Sequence, residues 1–245
     1  MRFYAVSPVG VVGADYKFLT YASDLDLAAG QIVEIPVGRR RMAGVILKTV
    51  EPPSFACKEI TRPIFQQTLP EPLLVLHNWL SEYYIAHPGT VWQTMLPAGL
   101  LKNHRPAKNP EKFIKNSGEN RTKIVYTADQ KRAIDEFEKM PTGTGILLGR
   151  TGSGKTAVYK KLAQDAIKAG RSAMILVPEI ALTTQLVENF RRDFPNVILT
   201  HSTMTDAQRF MIWQKVLESD RPAVIIGPRS ALFLPVKNLG LVVVD

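Results

Sequence analysis

Residues 145–156 read GILLGRTGSGKT, and this stretch decides the architecture of half the chain. From Gly149 to Thr156 it satisfies the pattern G-x-x-x-x-G-K-[ST] in full. The apolar run GILLG in front reads as a strand, and the residues behind it, from about Thr156 to Ala169, read as a helix. A strand, a glycine loop and a helix in that order make a phosphate cradle. Glycines let backbone N–H groups crowd round phosphate oxygens, and the helix adds its positive N-terminal end. Gly149, Arg150, Thr151, Gly152, Ser153, Gly154, Lys155 and Thr156 are therefore assigned to ATP binding. Lys155 should reach the β and γ phosphates, and the Thr156 hydroxyl should sit on Mg²⁺.

Working outward toward the C-terminus, the pattern stays α/β. A helix over about Ala128–Lys139 precedes the loop. After it come the strand SAMILVP, a helix near Leu182–Phe194, the strand NVILT, a helix over Ala207–Leu217, and the strands AVIIG and LGLVVVD. Continuous Val/Ile/Leu runs between amphipathic helices predict a mostly parallel, buried sheet. Asp245 ends the last strand, 90 residues beyond Lys155, where a Mg²⁺-holding carboxylate belongs. Magnesium keeps waters, so Asp245 acts directly or through one. Lys155, Thr156 and Asp245 form the predicted catalytic set.

Working outward toward the N-terminus, KNHRPAKNPEKFIKNSGENRTK is polar and broken by Pro106, Pro110 and Gly118. Residues 102–122 therefore read as a basic linker. Seven Lys/Arg against two Glu lie between Lys102 and Lys123, the densest basic stretch. Residues 1–101 have another texture. To about residue 68 short strands alternate with turns, as in QIVEIPVG after Gly30, and the basic triplet Arg39, Arg40, Arg41 precedes AGVIL. Residues 71–86 space Leu73, Leu76, Leu80, Tyr83 and Tyr84 on a helical face, with Pro72 in the first turn. A short helix over Val91–Met95 follows. At that spacing Trp79, Trp92, Tyr83 and Tyr84 suit core packing better than base stacking, and His77 and His87 read as structural. His201 follows a strand with no metal-ligand spacing around it and reads as positional.

Composition narrows the classes. No run of about eighteen apolar residues exists, which excludes a spanning helix and any membrane partner. The start carries no secretory leader pattern, and a lone Cys57 forms no internal disulfide, so a cytoplasmic setting is expected. A net charge of +9 favours polyanion partners.

Taken together the motifs resemble the PriA family of superfamily 2 DNA helicases, which restart stalled replication forks. Tyr126-Thr127-Ala128-Asp129-Gln130, with Gln130 lying 25 residues before Lys155, resembles the adenine-reading Q motif. VPEIALTTQ, from Val177 to Gln185, resembles motif Ia, and His201-Ser202 resembles the next motif. GPRSALFLP, from Gly227 to Pro235, resembles the family's G-T-R-S-A-x-F-x-P segment, and Asp245 would open its D-E-E-H Walker B box. GQIVEIPVG and LSEYYIAHPGTVWQTML resemble parts of its 3′-end-binding domain.

The resemblance implies an architecture and a set of contacts. Residues 1–101 would be a mainly-β fork-binding domain, and 123–245 a first RecA-like lobe truncated at Walker B. Gln130 would join the ATP site, and Glu179, Thr183, Gln185, Arg229 and Ser230 would contact DNA. By order along the chain, the 3′-end pocket falls on Tyr16, Lys17, Gly38 and Arg62. Lys17 stands where the family has an acidic partner, although Asp15, one residue before Tyr16, could supply the carboxylate. The polar stretch is too short for the winged helix that the family places there. Without the box's Glu, the second lobe and its arginine finger, this polypeptide should bind nucleotide weakly and hardly turn it over. Zinc is expected only in the family's C-terminal part. Forked or single-stranded DNA, primosome proteins and single-stranded-DNA-binding protein are the implied partners. Another class stands beside this one: a non-enzymatic DNA-binding or scaffold module whose nucleotide site is vestigial. An unrelated P-loop enzyme such as a small kinase fits the β-rich N-terminal half poorly.

Overall fold

The computed structural model describes residues 1–13, 15–102, 114–116, 125–140 and 142–245. They group into two units. One takes Met1–Ala107 with Thr205–Ser219 and Phe233–Pro235; the other takes Lys108–Met204, Asp220–Leu232 and Val236–Asp245.

The first unit is built on strands β1 (Arg2–Pro8), β2 (Leu19–Ser23), β3 (Gln31–Val37), β4 (Arg40–Val50), β5 (Lys58–Glu59) and β6 (Arg62–Thr68). They form one six-stranded sheet in the order β5-β2-β1-β4-β3-β6. β3 and β4 make an antiparallel hairpin that turns at Gly38, whose φ of +57° suits glycine. Alternation puts Val33 and Ile35 on the face that buries Tyr4, Val6, Tyr21 and Ile46. Helix α1 (Glu71–Tyr83) carries Pro72 in its first turn, and α2 (Pro88–Met95) is capped by His87, whose Nδ1 accepts from Gly89 N at 3.0 Å.

The sheet unit also holds a helix from the far end of the sequence, Asp206–Glu218, numbered α6 below. Phe65 on β6 meets Phe210 and Trp213 with ring centroids 6.1 and 5.4 Å apart. A Thr205–Gln208 capping box starts that helix. The grouping therefore does not follow chain order.

In the second unit a short strand β7 (Ile114–Asn116) lies within the expected linker and pairs antiparallel with a later strand. Of the rest of residues 102–122 only Lys102 is described. Then come α3 (Ala128–Glu138), α4 (Lys155–Lys168), β8 (Ser172–Leu176), α5 (Thr184–Asp193), β9 (Asn196–Leu199), β10 (Val224–Gly227) and β11 (Leu239–Val244); α6 (Asp206–Glu218), between β9 and β10 along the chain, groups with the first unit. The sheet order is β11-β8-β10-β9-β7, parallel throughout except for β7. Ala163 and Ala166 of α4, Phe190 of α5 and Phe194 just beyond it bury one face, against Ala173, Ile175, Val197, Val224 and Ile226. Small residues on α4 let that helix approach the sheet closely. Lys160 ties α4 to α5 through Asp193 at 2.5 Å and the Asn189 carbonyl at 2.8 Å.

Three expectations need correction. GILLG is not a strand: residues 144–150 join no ladder, and Ile146 and Leu148 are 83% and 88% exposed. Its propensity for extension is real, but it exchanges no ladder hydrogen bonds with any described strand. β11, expected to be buried, is an edge strand that pairs only with β8, and Val244 is 74% exposed. On α1 the aromatic set divides. Trp92 of α2 is core, stacked on the buried His77 at 3.8 Å, but at the surface Trp79 stacks on Tyr83 and Tyr84 meets both edge-on. The helix is apolar on several sides, and its buried stripe runs through Leu73 and His77 instead.

Candidate functional site

Parallel strands give the second unit one carboxyl edge, and the predicted residues collect there. Asp245 follows β11, Glu179 follows β8, His201 and Ser202 follow β9, and Arg229 and Ser230 follow β10. Thr183 caps α5 by accepting from Leu186 N at 3.2 Å, with Gln185 exposed in the first turn. The Ser202 hydroxyl donates to Glu179 Oε2 at 2.7 Å, joining two of the loops. Arg229 and Ser230 begin an exposed 3₁₀ turn that closes when Ala231 N donates to Pro228 O at 2.8 Å.

The glycine loop leads into the N-terminus of α4. Gly152 and Gly154 have φ of +81° and +79°, left-handed conformations that any side chain would strain. A Cβ at Gly154 would also lie 2.4 Å from Gln130 Nε2, so that amide would have to move off the loop. Lys155 Nζ donates to the carbonyls of Gly149 at 3.0 Å and Arg150 at 3.1 Å, which folds its amine over the loop. The α4 N-terminus, the left-handed glycines and this lysine are the donor set that a triphosphate requires.

Gln130 reaches the same loop. It completes a capping box with Thr127 and donates from Nε2 to the carbonyls of Ser153 and Gly154 at 3.4 and 3.3 Å. Both ends of its amide are thus engaged, and one end braces the phosphate loop.

Thr156 and Tyr159 lie three residues apart on α4, and hence on one side of it. The Tyr159 hydroxyl donates to Asp245 Oδ1 at 3.0 Å, so Thr156 and Asp245 share that side of α4. Burial first, then the hydrogen bond to the Asp245 carboxylate, pushes the Tyr159 phenol up to about 12, so it stays a donor at neutral pH. A hydroxyl and one carboxylate suit Mg²⁺, which takes few protein oxygens and keeps waters and phosphates. Among the described residues no cluster of three or more His, Cys, Asp or Glu is placed to hold a metal ion.

In the first unit, His87 Nε2 lies 3.1 Å from the Tyr16 carbonyl, which ties Tyr16 to the start of α2. Tyr16 is 60% exposed and Lys17 is also at the surface. Gly38 lies at the turn of the β3–β4 hairpin and Arg62 on β6: Lys58 Nζ donates to Gly38 O at 3.2 Å, and Arg62 Nε to Glu34 at 2.8 Å. Two participants escaped sequence reasoning. Tyr159 gave no signal, because an aromatic on a helix reads as core. Glu34 was a lone acid within an apolar strand, a visible anomaly whose partners depend on strand register.

Comparison with known proteins finds two family matches along the chain. Residues 11–97 match the family described as 3'DNA-binding domain (3'BD), and residues 127–245 match the DEAD/DEAH box helicase family. Replication restart protein PriA of Rickettsia conorii is 33% identical over 226 residues, covering 91% of this chain and 34% of that protein. Replication restart protein PriA of Helicobacter pylori is 33% identical over 235 residues, 93% of this chain and 34% of that protein. Its Chlamydia pneumoniae counterpart is 43% identical over 122 residues, 48% of this chain and 16% of that protein. The chain spans about a third of the length of the first two relatives. No helix among the described residues is long and apolar enough to cross a membrane.

Proposed function

The chain belongs to the PriA family of replication restart proteins, and from that premise we propose that it is the fork-binding and nucleotide-binding portion of an ATP-dependent 3′-to-5′ DNA helicase. The observation that carries this reading is the loop of Gly149–Gly154, with Lys155 folded over it and Gln130 bracing it, beside a carboxyl edge that bears Asp245. In it, Lys155 moves from the loop carbonyls to the β and γ phosphates of ATP. Gly149, Arg150, Thr151, Gly152 and Ser153 give backbone N–H donors, and Gln130 holds their main chain in place. Thr156 and Asp245 hold the Mg²⁺, which supplies charge neutralisation to the phosphates when bound. Tyr159 fixes the Asp245 carboxylate by keeping its proton.

The same edge offers Glu179, Thr183, Gln185, Arg229 and Ser230 to a single strand, with the Arg229 guanidinium and the hydroxyls against phosphates. The sheet unit engages the nascent-strand end of a fork through Tyr16, Lys17, Gly38 and Arg62. Tyr16 stacks a base, and Gly38 lets the strand approach the backbone. Restart would proceed in the cytoplasm with primosome proteins and single-stranded-DNA-binding protein. The scaffold alternative keeps the DNA contacts and drops the nucleotide cycle; the unpaired GILLG segment favours it.

Fluorescence anisotropy on a forked DNA, comparing a nascent 3′-hydroxyl with a 3′-phosphate across a salt series, tests the fork assignment. Preference for the hydroxyl supports an end-reading pocket. Equal and steeply salt-dependent binding reduces the unit to a backbone binder. Titration with a fluorescent ATP analogue and Mg²⁺ decides between helicase portion and scaffold: saturable binding that needs Lys155 supports the first.

A further inference from the structure

We propose that Arg41 and Arg62, both anchored on the buried carboxylate of Glu34, form a clamp for a backbone phosphate of single-stranded DNA. The inference rests on the DNA-binding reading of the sheet unit and adds Arg41 and Glu34 to it. Register brings the three together. Glu34 on β3 lies opposite Arg62 on β6 and opposite Ala43 on β4, while Pro36, two residues along β3, lies opposite Arg41. Alternation then sets Glu34, Arg41 and Arg62 on one face of the sheet.

Each carboxylate oxygen serves one arginine: Oε1 accepts from Arg41 Nη1 at 3.1 Å, and Oε2 from Arg62 Nε at 2.8 Å. The Glu34 side chain is only 6% exposed, whereas those of Arg41 and Arg62 are 69% and 55% exposed. The carboxylate is therefore an internal anchor, and the guanidiniums face water. Arg62 is held through Nε and more than half of its side chain is exposed, so guanidinium N–H groups remain for phosphate oxygens. One cation would neutralise Glu34. The second leaves a net positive charge on side chains whose freedom is already restricted, so little ordering remains for a ligand to impose.

The surroundings suit a polynucleotide. Gly38 has nothing within 4 Å of an added Cβ, so a strand can approach the hairpin tip, and Lys58 Nζ sits on the Gly38 carbonyl. Arg39 and Arg40 are exposed in and beside the same turn.

The experiment is a salt series of anisotropy titrations with a labelled oligothymidylate, using the full chain and its R41A, R41K and E34Q variants. R41A should weaken binding roughly five- to tenfold and lower the slope of log K against log salt by about 0.7, one single-strand phosphate contact. R41K should keep the slope and lose part of the affinity, because an ammonium is not a fork. In the E34Q background R41A should matter less than about twofold, since the anchor that positions it is gone. Inorganic phosphate should displace the oligonucleotide no better than chloride at matched ionic strength, which separates a polynucleotide site from a free-anion site; specific displacement would overturn the assignment. If the wild-type chain fails to bind oligothymidylate, the DNA-binding reading itself falls. If the chain binds and R41A matches it in affinity and slope, or loses affinity only along with thermal stability, the clamp falls and the DNA reading stands.

Discussion

The loop at Gly149–Thr156 and the cluster at Glu34, Arg41 and Arg62 are the two places proposed to meet phosphate, and they are built in opposite ways. The loop uses backbone: left-handed glycines, the first N–H groups of α4 and a lysine a few residues away along the chain. The cluster uses side chains from three strands, oriented by a carboxylate beneath the surface. A backbone cradle is local and needs glycine at fixed offsets, so sequence spells it out. A side-chain clamp is non-local and tolerates many sequences, so it emerges only once strands are in register. The first should fail through conformation and the second through charge.

The largest effect should come from K155A. Removing the amine should weaken Mg·ATP binding about a hundredfold, the loss of a pair of charge-assisted hydrogen bonds, and leave oligonucleotide binding by the sheet unit unchanged. A fluorescent-nucleotide titration checks this; affinity within twofold of wild type would move the phosphates elsewhere. G154A comes next. A left-handed φ and a Cβ 2.4 Å from Gln130 should cost about 1–2 kcal/mol and push Gln130 off the loop. Nucleotide affinity should fall about tenfold, read in the same titration; wild-type affinity would mean the loop tolerates a different shape.

R62A should give the mirror image, a loss of roughly five- to tenfold in DNA affinity with nucleotide binding intact. If both affinities fall together, the two places are not separate and the comparison breaks.

Smaller effects follow from protons. Burial holds the His77 imidazole below its ordinary value, so the unfolded chain takes up a proton before the native one does. Stability from this group is complete above about pH 6.5 and falls as pH drops through the folded value, with a slope of at most about 1.4 kcal/mol per pH unit. Urea midpoints between pH 7 and 5, followed by Trp92 fluorescence, should show the decline, and H77N should flatten it. The smallest change is Y159F, which removes one bond to Asp245 and should weaken Mg²⁺-dependent nucleotide binding no more than about fivefold. Tyr159 has its pKa raised, so its contribution is present below about pH 10 and disappears as pH climbs toward about 12. An ultraviolet titration that shows the same late-ionising phenol in Y159F would reassign it.

Particular residues show how far the sequence could be followed. The helices around Ala128–Glu138, Lys155–Lys168 and Asp206–Glu218 were legible from their hydrophobic periodicity and, for the second, from the glycine loop in front of it. Tyr126–Gln130 was visible as a resemblance to the Q motif, yet only the folded chain put the Gln130 amide on Ser153 and Gly154. GILLG misled because strand propensity says nothing about whether a neighbouring edge exists to pair with. Trp79 and Tyr83 misled because a helix apolar on several sides leaves to its partners the choice of buried face, and His77 stacked on Trp92 made that choice.

By itself the sequence determined what depends on neighbours along the chain: the phosphate loop and its helix, the α/β alternation, the β-rich N-terminal texture and the family. Local geometry is fixed by φ/ψ preference, hydrophobic period and capping, all of which act over a few residues. Tertiary structure alone decided the rest. It drew the helix Asp206–Glu218 to β6 through Phe65 and Trp213, left β11 at an edge, held Asp245 on Tyr159, and set Arg41 and Arg62 on Glu34. Those contacts join residues 20 or more apart, or rest on a register that a one-residue slip would reverse, so no local preference encodes them.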